Sequence, residues 1–146
     1  MMASHELLQI SVLLENRAGS LSSIAGTLQE TDVNILAFSI AEAEGFGVVR
    51  LIVDDPAKAC EHLRGAGFAV TETRMIALSM FDEPGGLYEI SRMLGDLDVN
   101  MEYAYAFNRP GKGILVMRAT DADDSLARIE SRYPHFLEDC SDYQTC

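Results

Sequence analysis

The spacing of apolar residues changes along the chain in a definite order. Leu7–Leu14 (LLQISVLL) reads as a strand by its apolar content and β-branched residues. Ala18, Leu21, Ile24, Ala25 and Leu28 then recur at helical spacing, which predicts one apolar helix face of about three turns. A strand is predicted at Val33–Ile40, a glycine-bearing hairpin connection at Glu42–Gly47, and a returning strand at Val48–Val53. In the next segment Asp55 is the expected N-cap of a second helix, Pro56 its first residue, and Gly65 or Gly67 its end. Phe68–Thr73 closes the series as a fourth strand. The order is βαββαβ, a split βαβ unit with two helices on one face of an antiparallel sheet.

The same pattern then returns. An offset of 66 residues aligns Ile10–Asp55 with Ile76–Asp121 without a gap. Identities fall on glycines (Gly19/Gly85, Gly45/Gly111, Gly47/Gly113) and on periodic apolar sites (Ile10/Ile76, Leu21/Leu87, Ile24/Ile90, Leu28/Leu94). Asp32, Val33, Asn34 and Asp55 also match Asp98, Val99, Asn100 and Asp121. The predicted second set is Arg74–Phe81, Leu87–Gly95, Val99–Phe107, Ile114–Ala119 and Asp124–Arg132, with a last strand near Pro134–Asp139. The expectation is an α+β protein of two ferredoxin-like βαββαβ repeats, residues 1–72 and 73–146, with antiparallel sheets and helices on one face. No linker separates them, because FAVTETRMIALSM reads as one extended segment, so tightly coupled sheets are expected.

Composition narrows the function. With 48% hydrophobic and 23% charged residues and a mean hydropathy of +0.06, the chain has enough apolar material for a core. Eleven Lys and Arg against 23 Asp and Glu give a net charge of −12, which opposes binding to nucleic acid or to an anionic membrane surface. No apolar run approaches the ~18 residues of a membrane span. The N-terminus lacks a basic segment followed by an apolar core, so a cytoplasmic location is expected.

Two short turns hold the most informative residues. NRAGSL (Asn16–Leu21) and DEPGGL (Asp82–Leu87) each join a strand to a helix, and VNI and VNM (Val33–Ile35, Val99–Met101) open the second strands. Gly19 and Gly85 permit the unusual φ that so short a turn needs. The helix that follows begins with N–H groups lacking intrahelical partners and carrying partial positive charge, a match for a carboxylate. Asp82 or Asn16 is placed to cap the helix or to accept from a ligand ammonium, and Asn34 and Asn100 to satisfy turn backbone with a side-chain amide.

With the βαββαβ order around them, these turns and strand openings resemble the ACT domain, a small amino-acid-binding regulatory module. The resemblance covers nearly the whole chain as two copies. NRAGSL departs from the pattern, with Asn16 for the acid, Ala18 for the proline and Ser20 for the second glycine. It implies a ligand held between the turn of one ACT unit and the strand end of another. The candidate ligand residues are Asn16, Arg17, Ala18, Gly19, Ser20, Leu21, Asn34 and Ile35 in the first copy. In the second they are Asp82, Glu83, Pro84, Gly85, Gly86, Leu87, Asn100 and Met101. The function so implied is a non-catalytic sensor or regulatory protein that binds a small molecule, an amino acid. The alternative is a regulatory subunit that controls an amino-acid biosynthetic enzyme.

Other chemistry finds little support. Cys60, Cys140 and Cys146 form no CxxC pair; Cys60 reads as a core residue, and the other two lie in a polar tail. NRPGKG (Asn108–Gly113) lacks the phosphate-loop spacing and reads as a hairpin turn. His5, His62 and His135 share no ligand or catalytic spacing; His5 is expected in a loose terminus and His62 on the second helix. Ser20, Ser22 and Ser23 lie at a helix start, where capping accounts for them. No enzyme activity, cofactor or metal is expected.

The strands carry an expectation about assembly. Leu36, Phe38 and Ile40 are expected on one face, Ile35 and Ala37 on the other, and Met101, Tyr103, Tyr105 and Phe107 along a single face. VVRLIV and ILVM (Ile114–Met117) are apolar on both faces. Something must cover the face without helices, and a symmetric homodimer is expected to do so.

Overall fold

The computed structural model describes residues 4–145. Leu8–Thr73, with Tyr143–Thr145, forms one compact unit; Arg74–Asp142, with Ser4–Leu7, forms the other. The elements are β1 (Glu6–Glu15), α1 (Ser20–Glu30), β2 (Ile35–Ala43), β3 (Phe46–Val53), α2 (Pro56–Gly65) and β4 (Ala69–Met80), then α3 (Gly86–Asp96), β5 (Met101–Arg109), β6 (Lys112–Ala119) and α4 (Ala122–Arg132). β4 is one strand of 12 residues, and both β1 and β4 contribute residues to the two units.

In the first unit β3 pairs antiparallel with β1 and with β2, in register Ile10↔Leu51 and Phe38↔Leu51. Ile10, Val12, Val49 and Leu51 pack beneath Ile24 and Leu28 of α1 and Cys60 and Leu63 of α2. The second unit repeats this with β6 paired to β4 and β5. There Ile76, Leu78, Leu115 and Met117 meet Ile90 and Leu94 of α3 and Leu126 and Ile129 of α4. Each of these is its first-unit counterpart moved by 66 residues, so the repeat is a repeat of core positions.

Local chemistry explains the helix boundaries. Asp55 and Asp121 cap α2 and α4, accepting from the N–H groups of Lys58 and Asp124. α1 ends at a left-handed Asp32 (φ 59°), with Val33 N–H donating to the Leu28 carbonyl and Asp32 N–H to that of Gln29. α3 ends identically at Asp98 (φ 54°), with Val99 donating to Leu94 and Asp98 to Gly95. Those bonds form a Schellman motif in which a short polar side chain, one of the few that tolerate positive φ, replaces the usual glycine. The matched Asp-Val pairs are therefore helix stops.

Several expectations are corrected. α1 starts at Ser20, so Ala18 lies in the turn, and both Ala18 and Leu21 are exposed; only Ile24 and Leu28 are buried on it. A register shift between Ile35 and Ala37 turns Ile35 onto the helix side, the side that also carries Phe38 and Ile40. The same shift between Met101 and Tyr103 pairs Met101 with Ala119 of the core, while Tyr103, Tyr105 and Phe107 face away from the helices. One extra residue reverses the alternation beyond it.

The last strand expected at Pro134–Asp139 is a 3-10 turn (Pro134–Phe136) followed by a single bridge, Leu137↔Leu78. Proline has no N–H for a ladder. The N-terminal segment takes up part of this role, with Ala77 N–H donating to the His5 carbonyl, while Glu138 N–H of the C-terminal segment donates to the Ala77 carbonyl. His5 is thus fixed, with Nδ1 2.8 Å from the Glu138 carbonyl oxygen. Cys140, expected in a polar tail, is buried; Cys146 lies outside the described residues.

Candidate functional site

Each repeat passes from strand to helix through a left-handed glycine, Gly19 at φ 90° and Gly85 at φ 99°. A Cβ at either would meet nothing within 4 Å, so conformation and not crowding requires glycine there. No side chain caps α1 or α3, which corrects the expected capping by Asn16, Asp82 and Ser20. The hydroxyls of Ser22 and Ser23 instead donate to the Gly19 carbonyl, at 3.0 and 3.1 Å. Both helix starts keep N–H groups that no side chain satisfies.

The first turn opens on a cleft of about 730 Å³. Arg17, Ala18, Gly19 and Ser20 line it from the turn, Leu14 from β1 and Phe68 from the approach to β4. Glu15 lies on the rim, its Oε2 3.3 Å from Arg17 Nε in a well-exposed pair. The walls therefore hold a cation and a helix start, a carboxylate, and an apolar surface. That combination complements a zwitterion with an apolar group, within the ~300–1,000 Å³ typical of ligand pockets.

The second turn is built more tightly. Gly86 is buried, and a Cβ on it would stand 2.2 Å from the Phe81 carbonyl oxygen. Its N–H donates to the Glu83 carbonyl, closing the turn on itself. Asp82, Glu83, Pro84 and Leu87 are exposed. Ser20 stands at the equivalent position of the first turn, where a side chain fits.

The strand openings lie apart from the turns. Asn34 N–H donates to Asp54 Oδ1 at 3.0 Å, and Asp54 N–H to the Asn34 carbonyl. Asn100 Nδ2 donates to Thr120 Oγ1 at 2.9 Å, and Thr120 N–H returns to the Asn100 carbonyl. Asn34 and Ile35 line a separate hollow of about 360 Å³ that shares no residue with the cleft at Gly19. Met101 packs against the second core. Sequence reasoning missed Leu14, Glu15 and Phe68 as lining residues; Glu15 directly precedes the turn, while Phe68 comes from 49 positions after Gly19 and nothing local marks it.

The two buried thiols are unreactive. Burial pushes the Cys60 thiol up to about 12, with Glu72 adding to the shift. Burial likewise takes Cys140 to about 12, with Glu138 and Asp139 adding to it. Both are protonated, poor nucleophiles near neutral pH. Among the described residues, no group of three or more His, Cys, Asp and Glu is arranged to hold a metal ion.

Comparison with known proteins identifies the fold family. Residues 5–142 match the family model of the ACT domain pair. No curated protein matches. A crystal structure of a protein from Bacteroides thetaiotaomicron is 31% identical with a TM-score of 0.86, covering 95% of this chain and 96% of that one. The ligand-free regulatory subunit of aspartate kinase from Thermus thermophilus has 12% identity and a TM-score of 0.62, over 90% of this chain and 94% of that one. A structure of aspartokinase alpha and beta subunits has 13% identity and a TM-score of 0.59, over 90% and 95%. At such identities the last two show a shared fold.

Proposed function

The chain belongs to the family of ACT domain pairs, and from that premise we propose that it is a non-catalytic regulatory protein that binds an amino acid. The observation that carries this reading is the cleft at Gly19. There the start of α1 and Arg17 receive the carboxylate, Glu15 the ammonium, and Leu14 and Phe68 the side chain. Asn34 and Ile35, on a separate hollow, serve a ligand shared with a second copy of the chain.

Thermal melting of the full chain against the twenty amino acids tests the reading. A ligand at ~100 Kd adds about 2.7 kcal/mol, which raises the Tm of a chain this size by several degrees. Arg17→Glu should abolish the part of the shift that this cleft provides. A melting curve that none of the twenty moves would overturn the proposal.

We also propose that two copies associate through β2, an edge strand. Phe38 and Ile40 on it are 55% and 51% exposed, although they lie on the helix side of the sheet. Ile35–Ala41 contains no charge and no proline, the usual protections of an edge. An antiparallel pairing about Ser39 would set Phe38 of one copy against Ile40 of the other. Light scattering should give twice the 16.0 kDa of the chain. A larger enzyme is the alternative occupant of this edge, and a monomer at micromolar concentration would overturn the pairing.

A further inference from the structure

The second unit carries its own hollow, of about 560 Å³, at the place equivalent to the first cleft. Five lining positions correspond across the 66-residue offset: Leu13, Leu14, Glu15, Ser23 and Ala69 become Ser79, Met80, Phe81, Glu89 and His135. The backbone repeats, but the chemistry does not. Phe81 replaces a carboxylate with an aromatic ring that is 62% exposed, and Glu89 places a carboxylate where the first cleft has a hydroxyl.

The cation has moved as well. Asp82–Gly85 do not line this hollow, and its cation is Lys112, from the β5–β6 hairpin. Lys112 Nζ lies 2.6 Å from Oε1 of the buried Glu138, which fixes the ammonium in place at the hollow. Phe136, its ring 4.6 Å from that of His135, joins Met80 and Phe81 to form an apolar wall.

We infer that this hollow is a second ligand site, selective for an α-amino acid with a large apolar side chain and independent of the first cleft. Lys112 takes the carboxylate, Glu89 the ammonium, and Met80, Phe81 and Phe136 the side chain. Opposite charges and apolar side chains around one hollow complement a zwitterion with an apolar group. The inference extends the proposed amino-acid-binding function and rests on it for the ligand class.

Titration calorimetry of the full chain with L-phenylalanine and L-methionine, with glycine as control, tests it. The two apolar amino acids should bind saturably and glycine should not. Glu89→Lys, at an exposed helix position, should weaken binding at this hollow at least tenfold, with or without Arg17→Glu in the first cleft. A methyl-labelled methionine spectrum gives a readout without mutation, in which the Met80 resonance should move on addition of L-phenylalanine. Binding that Arg17→Glu abolishes and Glu89→Lys leaves intact would overturn the second site while upholding the first cleft. Absence of both heat and a Met80 shift would overturn it too, whatever the first cleft binds.

Discussion

The side-chain amide of Gln144 pairs with the backbone of Leu8 as a neighbouring strand would. Leu8 N–H donates to Gln144 Oε1 at 2.8 Å, and Gln144 Nε2 donates back to the Leu8 carbonyl at 2.9 Å. Nε2 also reaches the Val53 carbonyl at 2.9 Å. The β1–β3 register runs Glu15↔Phe46 to Ile10↔Leu51, so Leu8 and Val53 would pair in step two positions further on. One amide fills that rung where the strands part. Gln144→Ala leaves part-buried backbone groups without these partners, and should destabilise the fold by about 1–3 kcal/mol. Gln144→Glu keeps the shape but sets a carboxylate against two carbonyls, so it should do no better. Urea denaturation of the two variants measures this, and midpoints equal to wild type would show that the amide is dispensable.

Turn two should punish a methyl group that turn one accepts. Gly86→Ala drives a Cβ to within 2.2 Å of the Phe81 carbonyl oxygen, so the backbone itself must shift. A loss of at least about 2 kcal/mol is expected, in the range for overpacked sites. Ser20→Ala, at the equivalent place, should be near neutral because that position already holds a side chain. Equal losses from the two would mean that turn two is not built more tightly than turn one.

The backbone was largely legible in the sequence because the repeated residues specify backbone: Gly19 and Gly85 enter helices with positive φ, and Asp32 and Asp98 leave them the same way. The faces of Ile35 and Met101 were not legible. A register shift reverses alternation without altering the apolar pattern. Nor did anything near His5 announce its bond to Glu138, 133 positions away. The first turn was legible as a strand-to-helix turn for the same reason as the fold, since its glycine sits in the chain order. Phe68, Lys112 and His135 join the clefts only through folding, so local pattern could not find them.

Alkaline pH should unfold the protein through its buried thiols. Cys60 and Cys140 ionise near 9.0 when solvated but are held up to about 12 in the fold, chiefly by burial. A raised folded pKa favours the protonated form in the native state. The resulting stability is complete below about pH 9 and falls as pH rises from about 9 to 12, because the unfolded chain then releases protons the folded one retains. The urea midpoint should accordingly decline across that window, and the decline should shrink in a Cys60→Ala/Cys140→Ala double variant. An unchanged slope in that variant would place the alkaline sensitivity elsewhere.

Lys112 is the compensating charge for Glu138, whose side chain is only 6% accessible while that of Lys112 is 39% accessible. Removing the ammonium leaves a desolvated carboxylate without its nearest cation, whereas removing both groups leaves two apolar chains of similar length. Lys112→Met should therefore cost about 3 kcal/mol, toward the low end for a buried pair because the lysine is partly solvated. The double variant Lys112→Met/Glu138→Met should recover most of that loss. Lys112→Arg should retain the pairing and most of the stability. A double-mutant cycle by urea denaturation gives the coupling directly. If it lies near zero, then Glu138 does not hold the ammonium at the second hollow, and the proposed carboxylate-binding role of Lys112 loses its structural basis.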